Sequence, residues 1–291
     1  MAAPRYSPSA FLLLALASLI GCNPEPATLR TAKPAELPPA GAAEWKPPAR
    51  PAQSSPEAQK KLQALLAAHT GGKPELLAKL KNCTFIRNGA IVVHGPPGYA
   101  ATQAVDLAWP ARFKHTTELT AAAITTNAVG LTPDGNWLAE GSRPLGEAAP
   151  PALPKKKLTE EVLAMAQRQM QEDACFLLFP YADPLTRVQV ADDAKIGERD
   201  CFGLHLWTPA LACVMLHVDK KTNTMARMTF LGYETGHDVL KVLLFDNLQD
   251  FGGVKLPAKV YLRAGSFDIA EWRSLKVASG KTFDSKFFDN P

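Results

Sequence analysis

The sequence predicts a mainly β fold with helices, of the α+β class, built on an antiparallel sheet of about eleven strands. Two observations carry this. Residues 200–277 hold a series of short strand-like runs separated by polar turns, several of them alternating at period two. In 254–263, Leu256, Ala258, Val260 and Leu262 fall on one face, while Lys255, Lys259, Tyr261 and Arg263 fall on the other. Nowhere does the chain alternate strand, helix, strand in the way parallel crossovers require, so neighbouring strands pair antiparallel.

Taken in order, the chain opens on a processing signal, residues 1–21. Arg5 precedes an apolar run from Phe11 to Ile20 that is too short to span a bilayer. The run ends in Leu19-Ile20-Gly21-Cys22, which resembles a bacterial lipobox, in which the Cys thiol is acylated and becomes the mature N-terminus. Cys22 is therefore the expected lipidation site, and several acyl chains on one residue anchor a protein stably. Asn23 after it, where sorting rules turn on an Asp, leans toward the periplasmic face of the outer membrane. Residues 22–54 are rich in Pro and Ala and have no hydrophobic period, so they read as a disordered tether reaching up to about 100 Å.

Residues 55–291 form the expected binding domain. Ser55-Pro56 starts a helix as N-cap and first residue, Leu62, Leu65 and Leu66 make its stripe, and Gly71-Gly72 stops it. A helical piece over 74–80 leads into strands over 83–95, 101–110 and 111–119, with a turn at 95–98 and a corner at Pro110. Thr132-Pro133-Asp134-Gly135 is a hairpin turn between two further strands. Residues 144–157 read as a loop ending in the Lys155–Lys157 triplet. A helix over 158–178, with Thr159 as cap and Glu160-Glu161 in its first turn, precedes the remaining strands and packs on the sheet's concave side.

Composition narrows the function. A net charge of +4 over 291 residues, with no basic block beyond the lysine triplet, excludes the footprint of nucleic-acid binding. No nucleophile elbow, HExxH pair or phosphate-binding glycine loop is present, so the chain reads as a non-enzyme with no catalytic residues and no cofactor. Cys201, His205, Cys213 and His217 occupy odd positions on two adjacent runs. Three readings stand there: a metal site, a Cys201–Cys213 disulfide, or unconnected side chains, and the last is the one adopted, with no metal assigned.

Several stretches together carry a family resemblance: 70–89, DLAWPARFKHTTEL (106–119), PDGNWL (133–138), GERDCFGLHL (197–206), VDKKTNTMARMTFLGYE (218–234), NLQDFGGVKLPAKVYL (247–262) and FDSKFFDNP (283–291). Over residues 55–291 the chain resembles the superfamily of periplasmic lipoprotein-localisation factors, and within it the lipid-anchored members. The resemblance implies an unclosed antiparallel β half-barrel with helices capping a concave apolar face that holds acyl chains. No individual ligand residue carries over from the family; the even-numbered face of the strand runs, Leu204, Leu216, Leu256, Val260 and Leu262, is the expected wall, with Leu163 and Met170 as lid. The implied protein is a monomer on the membrane that binds an acyl chain, a lipoprotein or another hydrophobic ligand. The alternative is a sensory or structural envelope module that binds protein through loops such as 144–157.

Overall fold

The computed structural model describes residues 45–92, 98–147, 153–234, 237–265, 267–284 and 286–291. The signal peptide, Cys22, most of the tether and the centre of the 95–98 turn lie outside the described residues.

Among the described residues, thirteen strands make one antiparallel sheet. They are β1 (Asn82–Ile91), β2 (Tyr99–Ala108), β3 (Arg112–Thr120), β4 (Ala123–Leu131), β5 (Trp137–Pro144), β6 (Lys155–Lys157), β7 (Arg187–Ile196), β8 (Arg199–Trp207), β9 (Val214–Asp219), β10 (Met225–Glu234), β11 (His237–Phe251), β12 (Val254–Ala264) and β13 (Phe267–Ser279). The spatial order runs from β6 down to β1, then from β13 down to β7. Two meanders therefore meet where the first strand pairs with the last, with Cys83 opposite Ser279. Strands β6 and β7 stay at the two edges, so the sheet curls into a half-barrel without closing.

Strand β6 is an addition to the sequence reading, which gives residues 144–157 to a loop. Lys155–Lys157 pair with Trp137–Ala139, and the Lys156 ammonium sits 3.0 Å from the Glu140 carboxylate. A run of three lysines has no apolar face for periodicity to detect, yet suits an edge strand, where charge deters further pairing.

Among the described residues, two α-helices lie on the concave side. Helix α1 (Pro56–Thr70) begins at Ser55, whose hydroxyl accepts a hydrogen bond from the Ala58 amide, and ends at Gly71 in the left-handed conformation, φ 61°. It packs against β7 and β12. His69, at its last turn, is completely buried and clips the helix to the sheet. Its Nδ1–H donates to the Lys255 carbonyl at 2.5 Å, and its Nε2 accepts from the Met225 amide at 3.1 Å. That pairing requires the neutral ring, and burial lowers the His69 pKa accordingly. Helix α2 (Glu160–Phe176) begins at Thr159, which caps the Val162 amide at 3.3 Å, and packs against β10 and β4.

The main core fills the concave side between the helices and the sheet. The convex side is covered locally. The Trp137 indole N–H donates to the Phe288 carbonyl at 2.8 Å, holding the C-terminal segment over β3 and β4. At the other edge the last residues of the tether are ordered, against the expectation from composition. Trp45 stacks on His205, Arg50 donates to the Leu185 carbonyl at 2.9 Å, and the Ser54 hydroxyl accepts from the Val188 amide at 3.0 Å. One aromatic contact and a few hydrogen bonds to edge strand β7 and the turn before it suffice to lay this short piece down, and none of them has a periodic signature.

Candidate ligand-binding cavity

Helix α2 stands off the sheet over part of its length, and a cavity of about 430 Å³ lies beneath it. The helix contributes Val162, Met165, Ala166, Gln169, Asp173 and Phe176, spaced three and four apart and hence on one face. Leu119, Val129, Leu243, Val260, Leu262 and Ile269 supply apolar wall from the sheet.

A polar row crosses this wall. Arg87 lies opposite Gln103, Gln103 opposite Thr117, Thr117 opposite Asn127, and Asn127 opposite Glu140, so five successive strands each place one polar side chain at the same level. All five line the cavity. Each stands in phase with apolar neighbours: Thr117, for example, alternates with Phe113 and Leu119 on the buried face of β3. His115 shares that face, with its Nε2 3.4 Å from the Thr117 hydroxyl.

Arg87 is the anchor of the row. Its guanidinium lies between the Phe85 and Phe176 rings, 4.6 and 4.3 Å from their centroids. Nη1 donates to Gln103 Oε1 at 3.0 Å, Nη2 lies 3.2 Å from Asp173 Oδ1, and Nε finds no acceptor. Asp173 also accepts from Gln169 Nε2 at 3.1 Å. Burial pushes the Asp173 carboxyl up, and the Arg87 charge and the Gln169 hydrogen bond offset part of that push. The preceding residue, Glu172, pairs with Lys241 of β11 at 2.9 Å. Two consecutive helix residues thus tie α2 to β1 and to β11, on either side of the β1–β13 seam. Burial, reinforced by the neighbouring Arg87 charge, drives the His115 pKa down to about 3, so this imidazole is neutral at pH 7.

The residues singled out from the sequence divide into three groups. Val260 and Leu262 line the cavity. Leu204, Leu216 and Leu256 are completely buried in the main core and are not on the cavity wall. Leu163 and Met170 pack against that core from α2, one helical step away from the face that meets the cavity; on that face the methionine is Met165. The polar row itself escaped sequence reasoning. Its signal was present as polar residues in phase with apolar ones, such as Gln103 between Ala101 and Val105.

The Cys/His face of β8 and β9 does not converge. Cys201 lies opposite Asp219, and His205 opposite Met215. Cys83, Cys175, Cys201 and Cys213 are all free thiols, and among the described residues no group of three or more His, Cys, Asp or Glu side chains is placed to hold a metal ion.

No family model matches the chain, and no curated protein matches it. Among solved structures it is similar to a LolA superfamily protein from Nitrosomonas europaea, at 13% identity and a TM-score of 0.42, covering 79% of this chain and 96% of that one. It is similar to a putative outer membrane lipoprotein-sorting protein domain from Vibrio parahaemolyticus, at 10% identity and a TM-score of 0.37, covering 80% and 97%. A DUF1329 family protein from Desulfovibrio piger gives 10% identity and a TM-score of 0.40, covering 79% and 96%.

Proposed function

We propose that this chain is a lipid-anchored cell-envelope protein that holds an acyl chain, borne by a lipid or a lipoprotein, in the cavity beneath α2. The observation that carries the reading is a space of about 430 Å³, walled largely by apolar side chains, between α2 and the sheet. That volume lies in the range of small-molecule sites. Burial of about ten methylenes contributes on the order of 8 kcal/mol before the costs of association, enough for retention without covalent chemistry. The chemistry around the cavity favours binding over catalysis. Burial drives His115, on the wall, down to about 3 and raises the Cys83 and Cys175 thiols, in the core beyond the wall, to about 12, so none of these groups is poised as base or nucleophile at neutral pH.

The full chain carrying Cys22→Ser, exported behind a cleavable non-lipoprotein signal peptide in place of residues 1–21, tests both halves of the reading. It should move from the membrane fraction to the soluble periplasmic fraction. Native mass spectrometry of that soluble form should show a co-purifying lipid or acylated peptide. Leu262→Trp, which fills the cavity, should remove the added mass while leaving the circular dichroism spectrum unchanged. A folded wild-type cavity that stays empty after incubation with envelope lipids would overturn the ligand reading.

A further inference from the structure

The polar row restricts what kind of acyl compound the cavity accepts, an inference that rests on the cavity being a ligand site. We propose that the ligand is a secondary acyl amide whose amide group bridges Gln103 and Asn127 while its hydrocarbon tail lies along the apolar wall.

The partners of the two side chains dictate their orientation. Arg87 only donates, so Gln103 must present Oε1 to it, and the Gln103 NH2 group has no acceptor among the described residues. Asn127 turns Nδ2 toward Glu140 Oε1, which accepts at 3.4 Å, and Asn127 Oδ1 has no side-chain donor among the described residues. The row thus offers the cavity a donor on β2 and an acceptor on β4, with the Thr117 hydroxyl between them on β3. Both residues are more than nine-tenths buried, and what they leave open faces the cavity. Strands two apart are separated by about 9.5 Å. An amide spans most of that when its carbonyl accepts from Gln103 and its N–H donates to Asn127.

Charge argues in the same direction. The ionised groups around the cavity already stand in pairs: Arg87 with Asp173, Lys241 with Glu172, and Lys156 with Glu140. A carboxylate or phosphate placed on the row would be buried with no cation left to neutralise it. Lys157 is exposed on edge strand β6, where solvent weakens any pairing it makes.

The test is displacement of the apolar dye N-phenylnaphthylamine from the full chain carrying Cys22→Ser, at pH 7.5. N-methyldecanamide should displace the dye at roughly tenfold lower concentration than N,N-dimethyldecanamide, which lacks the N–H, and than decanoate, which carries a charge. In Gln103→Leu and in Asn127→Leu the dye should still bind, and the preference should shrink to threefold or less. Thr117→Val, a smaller change, gives a second readout should either variant fold poorly, and should weaken the amide alone. Equal displacement by the three compounds, or a preference unchanged in the variants, overturns the amide site. Preference for decanoate also overturns it and moves the head group to Lys157. If the dye never enters wild type, the cavity reading falls with it. Mass analysis of the natural occupant separates an N-acylated peptide from an amide-linked lipid.

Discussion

The ammonium of Lys241 on β11 lies 2.9 and 3.1 Å from the two carboxylate oxygens of Glu172 on α2, with both side chains at most 8% exposed. A pair this deep has lost most of its hydration, so taking away the cation costs a buried carboxylate its hydrogen-bonded countercharge. Lys241→Met should lower the unfolding free energy by about 3–5 kcal/mol, read from urea denaturation at pH 7. Adding Glu172→Leu to that variant should recover most of the loss, because two apolar side chains then fill the site. A double variant as unstable as Lys241→Met would show that the pair is not what holds α2 here.

Gly232 on β10 leaves the room this pair needs. A Cβ there would come within 2.5 Å of Lys241 Cδ and 2.9 Å of Glu172 Oε1. Since Lys241 is pinned by its carboxylate partner, it cannot swing aside without breaking the pair. Gly232→Ala should therefore cost about 1–3 kcal/mol by overpacking. The cost should shrink when Lys241→Ala is also present, so a double-mutant cycle should be non-additive by at least about 0.5 kcal/mol. Strict additivity would place the clash elsewhere.

How far the sequence reaches is visible in particular residues. Period-two alternation marks Leu256, Ala258 and Val260 as one buried face of β12, because each lost contact with water leaves a trace in residue type. Thr159 and Ser55 mark helix starts for an equally local reason. A cavity has no such signature. Leu204 in the filled core and Val260 on the cavity wall are both buried aliphatic residues, and what separates them is how far α2 stands from the sheet. On α2 the apolar stripe through Leu163 and Met170 points at the core, whereas the face over the cavity carries Gln169, Glu172 and Asp173. Those three satisfy one another and the sheet only after folding, so hydropathy assigns them to solvent. The same holds for Arg87, whose acceptors lie on β2 and α2, distant in sequence.

The cysteines yield a second kind of test. Cys83, Cys175 and Cys213 are buried, and loss of hydration raises each thiol to about 12. The fully buried position of Cys201 raises its pKa as well. Folded protein bearing Cys22→Ser should react negligibly with Ellman's reagent over an hour at pH 8, and should release four equivalents in guanidinium chloride. Fast reaction of one thiol in the folded state would contradict its burial. A stoichiometry of two would reveal a disulfide.

Acid should weaken the fold through its buried histidines. His115 is driven down to about 3 and His217 to about 4, in both cases chiefly by burial and then by a neighbouring arginine, Arg87 and Arg227 respectively. In the unfolded chain each titrates near 6.5. Below pH 6.5 the unfolded state therefore binds more protons than the folded one, and stability rises with pH through this range. The stabilisation is complete above pH 6.5 and is lost as the pH falls toward 4 and then 3. Each histidine contributes a slope of up to about 1.4 kcal/mol per pH unit, or on the order of 2 kcal/mol each by pH 5. Asp173, whose carboxyl is pushed up by burial, opposes the loss at the acidic end, because the folded state takes up that proton first. Urea denaturation at pH 7.0 and 5.0 should show the fall, to which His69 and His205, also lowered by burial, add, and His115→Gln should remove about 2 kcal/mol of it. An unchanged midpoint in wild type across that interval would mean that the His115 ring is hydrated in the folded state, and the polar row with it.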